Sequence, residues 1–309
     1  MNILMAMFGA VSQGLVWATL ALGVYVTFRI LNFADMSCEG SFALGGSISA
    51  VLMVKLGFNP FLTVILATLG GMIAGAITGF LHTKLKIPAI LSGILTMIGL
   101  YSINLRIMGQ ANTSLIGQDT MITIIRKILP TPEVLGIKDS TLQTWVVLGI
   151  GFVFTVVVIG LIYWYFGTEI GCCIRATGNN ETMVRAQGVN TDVMKILGLV
   201  ISNGLIALSG ALVTQSQGFA DVKMGVGAIV IGLASIVIGE VIFLRPRNFA
   251  SRLLSIMIGS VIYRMIIALV LQLGLNTDDL KLFTAIVVAI ALSIPTLKKN
   301  RAATRKGAV

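Results

Sequence analysis

Residues Glu169–Lys195 read EIGCCIRATGNNETMVRAQGVNTDVMK, the main polar interval in a chain otherwise built of apolar runs. Within it Asn180 can cap a short helix, Glu181 falls in the first turn where the helix dipole favours an anion, and Arg185 follows Glu181 by four residues. Gly188 supplies a left-handed stop, and Thr191 and Asp192 can cap the next apolar span. The pattern predicts a helix of about two turns between two apolar spans. A surface loop that folds a single turn is the plainer alternative.

Working outward, 56% of the 309 residues are hydrophobic and 11% are charged, far from the soluble balance of about half apolar and a quarter charged. The chain therefore reads as an all-α polytopic membrane protein. Its net charge of +10 would suggest nucleic acid in a soluble protein, but here the cations flank apolar runs, which is the positive-inside pattern. Cys38, Cys172 and Cys173 form neither a disulfide framework nor a metal spacing, so no metal or other cofactor is expected.

Apolar runs lie at Ile3–Phe28, Gly40–Leu56, Phe61–Leu81, Pro88–Met108, Leu142–Phe166, Met194–Gln215, Gly225–Leu244, Leu253–Leu273 and Leu280–Leu297. That predicts about nine membrane helices, within a range of about eight to ten because Gly and Pro interrupt several. The first run has neither a preceding basic segment nor a small-residue cleavage site and reads as a retained span. Lys298, Lys299, Arg301, Arg305 and Lys306 place the C-terminus in the cytoplasm. Counting back puts Arg245, Arg247, Arg252, Arg175, Arg185, Lys84 and Lys86 on that side and the acidic turn Asn276–Asp279 outside. Met121–Leu129, inside the long segment Gly109–Thr141, suits an interfacial or re-entrant helix.

Sliding the chain against itself aligns Phe33-Ala34-Asp35 with Phe219-Ala220-Asp221, and at the same offset Gly46 with Gly232, Ser49 with Ser235, Val51 with Val237 and Pro60 with Pro246. The spans after the two triplets run in opposite directions, which predicts an inverted-topology repeat. The expected organisation is one transmembrane domain over 1–309, with halves at about 1–140 and 141–297, a polar loop at 167–193 and a basic tail at 298–309.

With these residues in view, the chain resembles the permease subunits of bacterial ABC importers of the branched-chain amino acid and ribose class. The resemblance rests on Gly14-Leu15-Val16-Trp17-Ala18-Thr19-Leu20-Ala21-Leu22-Gly23, Leu31-Asn32-Phe33-Ala34-Asp35 and Gly45-Gly46. It continues in Ile174-Arg175-Ala176-Thr177-Gly178-Asn179-Asn180, Ala186-Gln187-Gly188-Val189-Asn190 and Ser209-Gly210-Ala211-Leu212, and covers about residues 10 to 300. It implies a homodimeric or pseudo-dimeric pore in the bacterial plasma membrane, separate ATP-binding cassette subunits and an extracytoplasmic solute-binding lipoprotein. The segment Asn180–Gly188 would then be the coupling helix, with Asn180, Glu181, Met183, Val184, Arg185, Ala186 and Gly188 at the ATPase. Asp35-Met36 stands where the amino acid branch would have His-Gly, so the chain looks closer to a less characterised branch, with aromatic amino acids or related small solutes as its implied cargo. A branched-chain type remains open beside it.

The residues themselves contain no G-x-x-x-x-G-K-[ST] loop, so ATP hydrolysis is expected in a partner chain. Glu39 and Glu240 fall at expected cytoplasmic span ends and no carboxylate falls mid-span, which disfavours an ion-coupled carrier. A passive channel or structural subunit is the other alternative. An intramembrane enzyme would need a nucleophile and base, and the single histidine, His82, lies in an expected loop. Candidate pathway residues are Asp35, Asn203, Ser209, Asp221 and Arg264. Arg264, near mid-span, either attracts a solute carboxylate or pairs inside the bundle, and Asn203 either faces the path or packs helices. The Gly71-Gly75-Gly79 ladder reads as packing, with a dimer interface as one location.

Overall fold

The computed structural model describes residues 3–129, 139–243 and 248–272, with isolated helical positions at 282, 285, 286, 289 and 293. The elements are α1 (Ile3–Tyr25), a π-helical extension of α1 (Val26–Ile30), α2 (Cys38–Leu56), α3 (Pro60–Thr83), α4 (Ala89–Met108), β1 (Asn112–Ser114), α5 (Met121–Ile128) and α6 (Asp139–Gly167). They continue with α7 (Glu169–Asn179), α8 (Glu181–Ala186), α9 (Thr191–Gln217), β2 (Phe219–Asp221), α10 (Ala228–Ile242) and α11 (Phe249–Gln272).

Seven of these helices are long and apolar enough to cross a membrane. They coincide with seven of the expected runs. The run at Gly225–Leu244 instead folds as the 15-residue α10. At about 22 Å, α10 is shorter than the roughly 30 Å of hydrocarbon. The run Leu280–Leu297, apart from the isolated positions, lies outside the described residues, as do the turn Asn276–Asp279 and the basic tail.

α9 is the central post. Ser202 Oγ donates to the Gly23 carbonyl and Ser209 Oγ to the Val16 carbonyl, so α1 runs antiparallel to α9. α2 runs parallel to it, with Ser41 at Asn203 and Ser49 at Gln215. On a third side the glycine ladder of α3 meets α9: a Cβ on Gly75 would lie 2.3 Å from the Leu199 carbonyl oxygen, and one on Gly71 2.4 Å from that of Asn203. The ladder is thus a helix-packing contact, as expected, and it lies inside the chain between α3 and α9. Small residues let backbones approach, so dispersion contacts replace the hydrophobic drive that is lost in lipid.

α2 and α10 start inside the bundle. After α1 the chain turns back through Asn32, whose φ is +52°, and α2 begins only at Cys38. After β2 a second inward turn leads to Gly225, where a Cβ would lie 1.9 Å from the Glu39 carbonyl oxygen, and to Gly227, whose φ is +85°. α10 then runs parallel to α1, with Gly232 against Val24 and Glu240 paired to Arg29. The first turns of α2 and α10 therefore meet from opposite directions. At the other end of the molecule, β1 and β2 form a two-stranded antiparallel ribbon with Thr113 opposite Ala220.

The short helix expected at Met121–Leu129 is α5. Thr120 and Thr123 form a reciprocal capping box, and Met121 and Ile122 are buried.

Candidate functional site

At the α7–α8 end, the polar stretch folds as two helices rather than one. Thr168 caps α7 by accepting from Gly171 N at 3.3 Å. Asn180 ends α7 and begins α8, its Oδ1 accepting from Met183 N at 3.1 Å. α8 is six residues long, so the expected two turns shorten to less than that, and α7 occupies the residues before it. Gly188 has the left-handed φ of +85° that the sequence suggested.

A charge network ties α8 to the start of α9. Glu181 Oε2 accepts from Lys195 Nζ at 2.7 Å, while Oε1 accepts from Thr191 Oγ1 and Arg185 Nη2, each at 3.2 Å. Arg185 also donates to Thr191 Oγ1 at 2.7 Å and to Asp192 at 3.2 Å, and Lys86 lies 3.7 Å from Asp192. The Lys195 ammonium hydrogen-bonded to Glu181 holds its carboxyl below the usual glutamate range, against a smaller opposing effect of partial burial. Val184 is buried beneath α8, whereas Thr182, Met183, Ala186 and Gln187 face outward. Glu181 and Arg185 thus hold the helix in place, and the free face belongs to their neighbours. His82, expected as a solvated loop residue, instead bonds the Ile87 carbonyl through Nδ1 at 2.8 Å and meets the Phe33 ring edge-on.

A second cluster lies deep in the bundle. Asn203 is twelve residues into α9, about 18 Å along its length. Its Nδ2 donates to Asp35 Oδ2 at 2.8 Å, and its Oδ1 accepts from Ser41 at 2.6 Å and from Ser37 at 3.2 Å. Asp35 Oδ1 takes the Ser37 amide at 2.8 Å and the Ser37 hydroxyl at 2.5 Å. All four side chains are buried. Glu39 Oε1 accepts from Gly227 N at 2.9 Å and so ties α2 to the start of α10. The expectation of no carboxylate at depth is thereby corrected: the inward turn after α1 carries Asp35 and Glu39 up to the level of Asn203. Glu240 does sit at the α7–α8 end, paired with Arg29.

The other candidates do not join this cluster. Ser209 is buried against the Val16 carbonyl at 3.2 Å. Asp221 lies on β2 at the opposite end, its Oδ1 accepting from Lys223 N at 2.7 Å. Arg264 on α11 lays its guanidinium 4.0 Å from the centre of the Trp17 ring.

Comparisons with known proteins accord with this architecture. Residues 6–293 match the family model described as branched-chain amino acid transport system / permease component. The chain belongs to this family. The permease is 40% identical over 286 residues to the tyrosine transport system permease protein of Clostridioides difficile, covering 93% of this chain and 90% of that one. It is 28% identical over 217 residues to a probable branched-chain amino acid transport permease protein of Methanocaldococcus jannaschii, covering 66% and 64%. Its fold resembles PsaBC from Streptococcus pneumoniae in complex with a Fab, with a TM-score of 0.50 at 17% identity, covering 95% of this chain and 92% of the other. It is an ABC importer permease.

Several residues that organise the permease escaped sequence reading. Gln215 Nε2 donates to the Pro60 carbonyl at 3.1 Å while its Oε1 accepts from Met121 N at 3.1 Å, joining α9, α3 and α5. Ser37, Ser41 and Trp17 belong with it. Asp35-x-Ser37 is an Asx-turn spacing and was available as a signal. Nothing in the sequence, however, tells which distant amide such a turn will meet.

Proposed function

We propose that this permease moves an amino acid, of the aromatic or branched-chain type, into the cell by alternating access, driven by ATP-binding cassette subunits that dock on α8. The observation that carries the coupling reading is α8 itself, a capped helix fastened by Glu181, Arg185, Thr191 and Lys195 with Met183 facing out. A surface meant to transmit force needs a rigid base and a free face, and α8 has both.

The α7–α8 end is cytoplasmic on this reading, because Arg29, Lys84, Lys86, Arg175, Arg185 and Arg252 gather there. The C-terminus follows to the cytoplasm, and a solute-binding lipoprotein delivers cargo at the β1–β2 end. Two copies of the permease form the pore. An inverted repeat relates the two halves and places the meeting of α2 and α10 at its centre. The matching Asx turns at Asp35 and Asp221, each before an inward turn, support that repeat. Asp35 and Asn203 border the path, with Ser209 further along α9 and Asp221 on β2 at the far end of the molecule. The tyrosine transport relative favours an aromatic solute.

The test begins with a tagged permease purified from native membranes. An ATPase should co-purify, and its hydrolysis should rise when the binding protein and L-tyrosine or L-leucine are added. Met183→Asp should abolish that rise while the permease stays folded. A permease that purifies without an ATPase, or uptake that collapses with an ionophore and survives ATP depletion, would refute the reading in favour of a channel or an ion-coupled carrier.

A further inference from the structure

Arg264 lays its guanidinium over the Trp17 ring, 4.0 Å from its centre. Among the described residues it makes no hydrogen bond and no ion pair, and its Nε is buried without a partner. The Trp17 indole Nε1 is likewise buried without an acceptor. Two orphan donors therefore occur in one cation–π pair, past the middle of α11 and in the core of α1.

Stacking does not account for this arrangement. A desolvated cation–π contact contributes about 2 kcal/mol, whereas a cation at bilayer depth costs several kcal/mol unless its N–H groups find acceptors. An arginine kept at depth solely for packing would be expected to have a carbonyl or carboxylate beside it. What the pair lacks is an acceptor carrying negative charge. The geometry suits one. The guanidinium centre lies 4.0 Å from the indole centre, Phe42 packs on the same indole at 5.1 Å between ring centres, and the guanidinium carries its N–H donors along a planar, forked edge. That edge matches both oxygens of a carboxylate. Arg264 as a whole keeps partial accessibility in this conformation. Phe42, in the second turn of α2, also places the pair near the N-terminal half of that helix.

We infer that Arg264 and Trp17 form an intramembrane subsite for the carboxylate of the solute as it crosses. This rests on the amino acid importer reading and assigns one residue pair to one functional group of the cargo. It accounts for a cation with no ion pair among the described residues, where the deep carboxylates Asp35 and Glu39 already have partners.

The test uses the purified permease with Trp145→Phe and Trp164→Phe, both at exposed positions, so that Trp17 alone fluoresces. L-tyrosine, L-leucine and acetate should each change the Trp17 emission, and tyramine, which has no carboxylate, should not. Arg264→Gln should abolish the response, and Arg264→Lys, if the first variant fails to fold, should weaken it about tenfold by losing the two-pronged geometry. In proteoliposomes with the ATPase and binding protein, Arg264→Gln should slow uptake about tenfold or more while basal hydrolysis and ATPase recovery stay at wild-type levels. That pattern separates this subsite from the coupling assignment, which is tested by ATPase recovery and by the response of hydrolysis to Met183→Asp. Equal responses to tyramine and L-tyrosine, no response to any carboxylate, or wild-type uptake by Arg264→Gln would overturn the subsite and leave a bound water as the missing acceptor.

Discussion

Asp35 and Asn203, 168 residues apart in sequence, meet at 2.8 Å in the middle of the bundle. Their bond ties the inward turn after α1 to the central helix. Asp35→Ala would leave the Asn203 amide with only the Leu199 carbonyl and would strand the Ser37 N–H. The expected cost is about 1 to 3 kcal/mol, read as a lower midpoint of thermal unfolding in detergent. Asp221→Ala, at a more accessible turn, should cost less than about 0.5 kcal/mol. Equal shifts for the two would show that the deep contact contributes no more than a surface turn.

Close helix approach sets a second expectation. A Cβ on Gly210 would lie 2.0 Å from the Phe42 carbonyl oxygen, and that backbone cannot yield without moving α2. Gly210→Ala should therefore destabilise the permease by about 1 to 3 kcal/mol or prevent its folding. Gly99 on α4 has open space around it, and Gly99→Ala should be neutral or stabilising by up to about 1 kcal/mol. Expression and melting of the two variants side by side would decide; a tolerated Gly210→Ala would count against the packing described.

The α8 network should respond to acid. Because Lys195 lowers the Glu181 pKa, the carboxylate stabilises the folded loop at pH values above the ordinary glutamate range, and that contribution is lost as pH falls through the lowered value. Hydrogen exchange across residues 181–190 should accelerate in acid for the wild type. Glu181→Gln should exchange fast already at neutral pH and change less on acidification. Identical profiles for the two proteins would remove Glu181 from the network's support.

Two adjacent residues should part company. Val184 is 2% exposed and Met183 is 53% exposed. Val184→Asp buries a charge and should disorder the α8 region, lowering the melting point. Met183→Asp should leave melting unchanged and abolish the solute-driven rise in ATP hydrolysis. A normal rise with Met183→Asp would move the docking face elsewhere.

Composition alone determined that this chain lives in a membrane, because so many apolar residues with so few charges have no soluble arrangement. Local spacing determined much of α8: the Asn180 cap, the Glu181–Arg185 pair and the Gly188 stop all act within a few residues of one another, so one stretch of sequence contains them. It missed the division into α7 and α8, since Gly178 and Asn179 look like loop residues yet close a helix. The positions of Asp35 and Glu39 needed the tertiary structure. Their distance in sequence from the ends of apolar runs suggested the membrane surface, but the chain turns inward before α2 begins and carries both to mid-depth. Trp17 and Arg264 are a similar case, since each lies in an ordinary apolar run. Only the antiparallel packing of α1 against α11 brings the ring under the guanidinium and shows that, among the described residues, the Trp17 Nε1 and Arg264 Nε have no acceptor, because burial and hydrogen bonding are properties of the neighbours that folding supplies.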